Sequence, residues 1–364
     1  MADSAKSILI ELLENGRHSR AALAQKLHRS RPAISTAVDK LISRGFLQEA
    51  GVAKSSGGKP PTMLEFTEKS LCTIGLTIGA ENTMRSVLLD GNARIIAQLD
   101  KRFNNNISSI AAAAAMESTA ELRRRFPMHN IRGIGAAISG IVDTRSNEVV
   151  YSANFDIAGR NLAEQLSREC GLPVKFYNRV RAAAAAEWHG VKESEDGCSF
   201  YLNFQYGIGS VIHYPGGEFN GVNFAAGEVR ELPVPVDGVY MPMEKAMQKI
   251  FAETGASDRE ECFRRYLEPC VHLLCNIASF IDPERIILDG NFKRLGRDFL
   301  NLLSDGVNST MQGRTRMPEI RYGKPDSIGS AGGAALKVMQ SELYSLKPAD
   351  LWNYKFFNPQ EVEI

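Results

Sequence analysis

The sequence predicts an N-terminal winged helix-turn-helix of the α+β type, followed by an α/β body of two subdomains around a cleft. Three observations carry that prediction. Residues 6–45 hold three short segments of helical apolar spacing separated by tight turns, and two strand-like runs flanking a Gly-, Ser-, Lys- and Pro-rich loop follow them. Beyond Lys69 the pattern changes to short β-rich runs, each followed by a turn and a helix-like segment, an alternation that indicates an α/β fold. Charge divides at the same place. Met1–Thr62 carries ten basic and five acidic residues, +5 in a chain whose total is +1, which leaves −4 on the remainder. A basic end on an acidic body suits one module that meets a polyanion and another that does something else. At 364 residues the chain has room for two or three domains.

In the first module, Ile8, Leu9, Leu12 and Leu13 repeat at helical spacing over Lys6–Leu13, and Asn15-Gly16 supplies a C-terminal stop. Ser19 is a good N-cap for a second helix with Ala21, Ala22, Leu23 and Leu27 on its apolar stripe. Ser30 caps a third that begins Arg31-Pro32, proline being tolerated in a first turn where its missing N–H costs nothing. Ile34, Val38, Leu41 and Ile42 face the core, which leaves Arg31, Ser35, Thr36, Asp39 and Lys40 outside. Phe46–Ala50 and Met63–Phe66 are the expected wing strands, and Gly51–Thr62 is the wing. Lys54 and Lys59 lie in this loop, where a thin basic strip can enter a minor groove. Three such helices also occur as an ordinary bundle or a protein-binding winged helix. Charge excess, third-helix chemistry and basic wing together favour double-stranded DNA, with Arg31, Ser35, Thr36, Lys40, Lys54 and Lys59 as candidate contacts.

In the body, Cys72–Gly79 and Thr83–Leu89 read as a hairpin, and Ile131–Ile138, Pro173–Tyr177, Phe200–Phe204, Gly209–His213 and Arg285–Leu288 as further strands. Arg181–Trp188, Arg264–Phe280 and Leu295–Ser309 read as helices. The expected division is 1–68 for the DNA-binding domain, 69–178 for a small subdomain completed by about 325–345, 179–324 for a large subdomain and 346–364 for a tail. The six cysteines are scattered without a C-x-x-C pair, as expected of buried thiols. No stretch is long and apolar enough to span a bilayer and no signal-peptide pattern opens the chain, so a cytoplasmic protein without a membrane partner is expected.

Four stretches carry a family resemblance: Gly171-Leu172-Pro173-Val174 leading into Tyr177-Asn178-Arg179-Val180-Arg181, then Gly207-Ile208-Gly209, then Ala225-Ala226-Gly227-Glu228, and Gly329–Ala335 near the end. In order and spacing they resemble the ROK family of sugar kinases and repressors, over essentially the whole chain. The resemblance implies an actin-like ATPase fold with phosphate hairpins on one side of the cleft and a sugar on the other. It also implies that a member with a winged helix is a transcriptional regulator, working as a homodimer or higher homo-oligomer.

The departures decide the chemistry. Family kinases carry a D-I-G-G-T phosphate hairpin, where this chain has Thr77-Ile78-Gly79-Ala80-Glu81-Asn82-Thr83, without the aspartate and with an acid that would repel a triphosphate. Their G-T-G-I-G loop reads Gln205-Tyr206-Gly207-Ile208-Gly209 here, so a bulky ring replaces a hydroxyl. Their catalytic aspartate, in E-N-D-A-N, falls on Arg179, a permanently protonated group that cannot act as a general base. Three parts of phosphoryl transfer are lost together, so the chain is expected not to be an enzyme. The family's zinc cluster is missing too: Glu231 stands at the histidine position and no cysteine lies between Gly227 and Glu261, so neither metal nor cofactor is expected.

Asn154, Asn178 and Glu228 match pocket positions of the resemblance and could still orient a carbohydrate effector, or be relics satisfied by internal hydrogen bonds. Arg179 suggests an anionic effector, a sugar phosphate or sugar acid, unless it is paired internally with Glu228 or Glu231. The expected function is therefore a DNA-binding transcriptional regulator, a repressor, sensing a sugar or its derivative without phosphorylating it. The alternatives are a residual ATP-dependent sugar kinase with a DNA-binding appendage and a ligand-independent repressor.

Overall fold

The computed structural model describes residues 2–52, 60–80, 83–102, 108–152, 161–191, 197–205, 207–215, 217–254, 259–313, 316–325, 327–347 and 350–352. The chain divides into two compact units, Met1–Val191 with Ile328–Ile364, and Lys192–Ser327.

The first unit opens with α1 (Ala2–Asn15), β1 (His18–Ser19), α2 (Arg20–Lys26), α3 (Arg31–Ser43), β2 (Leu47–Val52) and β3 (Thr62–Phe66). The caps act as the sequence predicts. Ser19 Oγ accepts from the Ala22 N–H at 3.2 Å, and Ser30 Oγ from the Ala33 N–H at 3.4 Å. Ile8, Leu9, Leu12, Leu13, Leu23, Ile34, Val38 and Leu41 close a buried core. β1 adds a strand that no local pattern announces. Two residues form it because β3 offers them a free edge, with His18 opposite Leu64 and β2 on the other side of β3.

The chain continues through β4 (Cys72–Ala80), β5 (Thr83–Asp90), β6 (Ile95–Arg102), α4 (Ser108–Arg125), β7 (Ile131–Ile138), β8 (Ile141–Asp143), β9 (Glu148–Tyr151), α5 (Leu162–Cys170), β10 (Val174–Asn178) and α6 (Arg179–Trp188). The second unit holds β11 (Ser199–Phe204), β12 (Ile208–Tyr214), β13 (Gly217–Glu218), β14 (Pro233–Val236), β15 (Val239–Pro242), α7 (Met243–Thr254), α8 (Arg259–Ile281), β16 (Arg285–Gly290), α9 (Gly296–Thr310) and β17 (Glu319–Tyr322). α10 (Gly329–Ser345) then returns to the first unit.

One strand plan is used twice. The sheet orders are β10-β7-β4-β5-β6 and β13-β12-β11-β16-β17, each a three-strand antiparallel meander extended by two parallel strands. In the first sheet alternate residues of β4 face opposite ways, as strand geometry requires. Ile74 and Leu76 join Ile134, Phe176, Ala115, Leu122 and Leu166 in a core beneath α4 and α5. Gly75 meets α10 on the other face, so closely that a Cβ there would lie 1.8 Å from the Ala331 carbonyl oxygen.

One expectation shifts. The break between units falls after Val191, not after Asn178, because α6 packs on α10 and a Cβ on Gly333 would lie 1.7 Å from the Ala182 carbonyl oxygen. The run 329–335 is helical all the same: its glycines allow backbone contact, which outweighs their weak helix propensity. Of the thiols, Cys72, Cys170 and Cys270 are buried, and Cys198, Cys262 and Cys275 are partly so.

The winged helix is joined to the body by a shared core. Leu9, Phe46, Leu64 and Phe66 belong to one buried cluster with Leu89, Met339, Leu343 and Leu351. Lys6 Nζ donates to the Tyr344 carbonyl at 2.7 Å, a cation at the C-terminal end of α10 where the helix dipole favours it, and the Tyr344 hydroxyl donates to Glu14. From the β5–β6 turn, Asn92 accepts from the Phe66 N–H at 3.0 Å and donates to its carbonyl at 2.9 Å, extending the ladder of β3 with a side chain. Arg94 and Arg17 both reach the buried Glu65, at 2.9 and 2.7 Å. Burial alone would raise the Glu65 pKa, but hydrogen bonds from Gln48, Arg17 and Arg94 outweigh it and hold the carboxyl below its ordinary value.

Candidate functional site

α3 presents Arg31 and Thr36 to solvent, with Ser35 half-buried beside them. Thr36 Oγ1 donates to the Pro32 carbonyl at 3.0 Å, and the Ser35 carbonyl accepts from Arg20 at 3.2 Å. Arg20 also bonds Asp39 at 2.7 Å and lies 3.7 Å from Glu49, so this cation ties α2, α3 and β2 together. Sequence reasoning passed over it, because its partners lie on two other elements. Lys40 has its own neighbour: its Nζ sits 4.0 Å from the centroid of the Trp352 ring, while Arg44 donates to the Trp352 carbonyl at 3.3 Å. Lys54 and Lys59 lie outside the described residues.

On the body, Asn178 ends β10 and caps α6. Its side-chain oxygen accepts from the Val180 and Arg181 N–H groups at 2.8 and 3.1 Å, and its amide donates to the Gly140 carbonyl at 2.7 Å. The cap thus commits most of a side chain that the resemblance assigns to a sugar. Arg179 is the first residue of α6, half-buried, and Arg181 is buried, with no acid in the first turn. Two guanidinium groups at the positive end of a helix are unfavourable on dipole grounds. Thr77, on the stretch matched to the first phosphate hairpin, shares a hydroxyl–hydroxyl bond of 3.0 Å with Ser330. Glu81, Asn154 and Tyr206 lie outside the described residues.

In the second unit, Glu228 and Glu231 are exposed. Arg230 pairs with Glu231 at 3.2 Å and with Glu244 at 3.5 Å. Glu244 in turn lies against the matched second phosphate loop: a Cβ on Gly207 would stand 2.4 Å from Glu244 Oε1. The C-terminal ends of parallel strands are where α/β sheets take ligands. Here those of β11 and β16 carry groups that satisfy one another. The Tyr201 hydroxyl donates to Asp289 at 2.6 Å, Lys293 pairs with Asp289 at 2.7 Å, and Asn291 donates to the Gln205 carbonyl at 2.7 Å. No local signal marks Glu244, since it acts on a loop distant in sequence.

Where the resemblance would place zinc, the chain is held by ordinary means. Val229, Val234 and Val236 are buried, the Ser210 hydroxyl donates to the Gly227 carbonyl at 2.6 Å, and Arg265 reaches Asp237 at 3.0 Å. Among the described residues no three His, Cys, Asp or Glu side chains gather to hold a metal, and no helix is long and apolar enough to cross a membrane.

Comparison with known proteins agrees with this architecture. A ROK family model matches residues 73–239, and a winged helix-turn-helix DNA-binding model matches residues 1–48. The xylose repressor of Bacillus subtilis (strain 168) is 24% identical over 236 residues, which are 64% of this chain and 61% of that protein. The chain thus spans about three fifths of the length of such repressors. An N-acetyl-D-glucosamine kinase of Escherichia coli O127:H6 is 22% identical over 260 residues, 61% of this chain and 84% of the kinase. Among solved structures, a ROK family transcriptional regulator described as a homologue of the E. coli MLC protein superposes with a TM-score of 0.70 at 15% identity, over 94% of this chain and 97% of that one. A ROK hexokinase from Thermus thermophilus gives 0.58 at 20% identity, over 73% and 97%. At these identities the structural likeness speaks for the fold alone, a winged helix-turn-helix followed by an actin-like kinase-fold body.

Proposed function

From the premise that the chain belongs to the ROK family and carries an N-terminal winged helix-turn-helix, we propose that it is a transcriptional repressor whose kinase-like body senses a sugar or sugar derivative without phosphorylating it. The observation that carries this is Arg179. It heads α6 where the resemblance puts the catalytic aspartate, and a guanidinium has no lone pair with which to take the sugar's proton. Glu244 supports the same conclusion, because a carboxylate against Gly207 opposes the approach of a nucleotide phosphate. Arg31, Ser35 and Thr36 are the DNA contacts of the first two turns of α3, and the chain acts as a homodimer on two half-sites.

The effector is an anionic sugar, a sugar phosphate or a sugar acid, held by Arg179 at the positive end of α6. Thermal-shift titration with xylose, other neutral sugars, sugar phosphates and uronates tests this. A shift confined to the anionic sugars and lost in Arg179→Ala is the expected result. Binding only to neutral sugars, undiminished in that variant, would overturn the anionic effector. Formation of ADP from ATP with any sugar in the panel would overturn the non-enzymatic reading. Operator binding indifferent to every sugar would leave a repressor without an effector.

A further inference from the structure

The outward face of the recognition helix is two flanks rather than one surface. At about 100° per residue, Arg31 and Lys40 lie roughly 180° apart around α3, whereas Lys40 and Arg44 share a side. Arg31 and Ser35 lie on the flank that Arg20 reaches from α2. Lys40 and Arg44 face a different neighbour, the short turn Asp350–Trp352 that follows α10. That turn is anchored: Leu351 is fully buried in the cluster that contains Leu9, Phe46 and Leu343. Trp352, the next residue, packs against the edge of the same cluster and lays its ring beneath the Lys40 ammonium. A cation over an indole face is attracted by the ring quadrupole, and the Arg44 bond to the Trp352 carbonyl adds a second tie on the same flank.

We propose that this C-terminal turn positions the recognition helix, with Trp352 as the positioning residue and Lys40 as part of the lock instead of the DNA-contacting set. The proposal rests on the DNA-binding reading of α3. It assigns a role to the end of the chain, which no motif explains. The turn follows α10 in the chain, and the first residues of α10 touch β4 through Ser330 and Thr77, so α10 lies between the body's first hairpin and the turn that meets α3. Affinity then depends on Trp352 through the order of α3 and not through neutralised phosphates, and the two routes differ in salt dependence.

The test uses the full chain and two labelled duplexes, one selected from a random pool by the wild type and one of random sequence. Trp352→Ala is expected to speed amide exchange over residues 38–44 and to weaken the selected duplex about tenfold, while the slope of log affinity against log salt stays unchanged. Trp352→Phe, which keeps an aromatic face, restores both to within about twofold. Lys40→Met gives a smaller loss with the same slope, whereas Arg31→Gln lowers the slope by about one. Two results would overturn the proposal: Lys40→Met flattening the salt slope by about one, or Trp352→Ala leaving exchange in α3 as it was. Should Trp352→Ala fail to fold, the Trp352→Phe and Lys40→Met pair still decides it. If the wild type retains neither duplex, the DNA-binding reading falls by itself, and exchange in α3 alone decides whether the turn orders the helix.

Discussion

Sheet β10-β7-β4-β5-β6 and sheet β13-β12-β11-β16-β17 both set an antiparallel meander beside two parallel strands, yet they are covered differently. Against the first, α10 makes backbone contact, allowed by Gly75 and Gly135, with a bond from the Thr73 hydroxyl to the Ala335 carbonyl at 2.8 Å. Against the second, side chains interdigitate: Phe200, Leu202, Ile286 and Leu288 meet Met247, Leu273, Phe299 and Leu303. Packing of side chains tolerates small rearrangement, whereas backbone in contact with backbone has no rotamer to change. The stiffer arrangement is found where α10 must also hold the winged helix. The comparison teaches that one strand plan can serve as a platform in one copy and as an ordinary core in the other, according to where glycine stands.

The largest effect expected is on the platform. Gly75→Ala places a methyl carbon against the Ala331 carbonyl, and chemical denaturation is expected to show a loss above about 4 kcal/mol or no folded protein. In the second sheet the sensitive change is the opposite one. Leu303→Ala, which removes atoms from a fully buried site, is expected to cost about 3 kcal/mol, while the first unit keeps its stability. Equal tolerance of both substitutions would erase the distinction between the two sheets.

A smaller effect sharpens the comparison at the junction. Asn92→Ala removes both bonds to Phe66 and is expected to cost about 1.5 kcal/mol, read as earlier thermal unfolding and faster exchange in β3. The smallest concerns pH. Because the folded state holds the Glu65 pKa below its ordinary 4.5, its contribution is complete above that value and is lost as pH falls through the lower, folded one. Glu65→Gln is therefore expected to flatten the fall in melting temperature on acidification below about pH 4.5, with little change in slope near neutrality.

Much of this molecule was legible locally. Ser19 and Ser30 announce the helices they cap, since an N-cap acts within three residues. β7 declares itself by the apolar run Gly133–Ile138, as expected of a strand with neighbours on both sides. Other features were not legible, for physical reasons. β1 exists only because β3 is beside it, the 329–335 run is helical only because β4 and α6 lie within backbone reach, and Glu244 meets Gly207 only after α7 has packed. Asn178 was read from the resemblance as a pocket residue, while its cap on α6 follows from the strand–helix turn that holds it.

The sequence by itself determined the order of the modules, the winged helix-turn-helix, the kinase-like body and the absence of an aspartate where Arg179 stands, because periodicity, capping chemistry and residue identity are properties of neighbours in the chain. Only the tertiary structure decided what each charge is for. Lys40, Arg20, Glu65 and Glu244 each have a partner on another element, and helical periodicity, which sets Lys40 opposite Arg31 on α3, could not tell that Trp352 covers the Lys40 flank. An ionic or cation–π contact is set by distance in space, and that distance is known only once the chain has closed on itself.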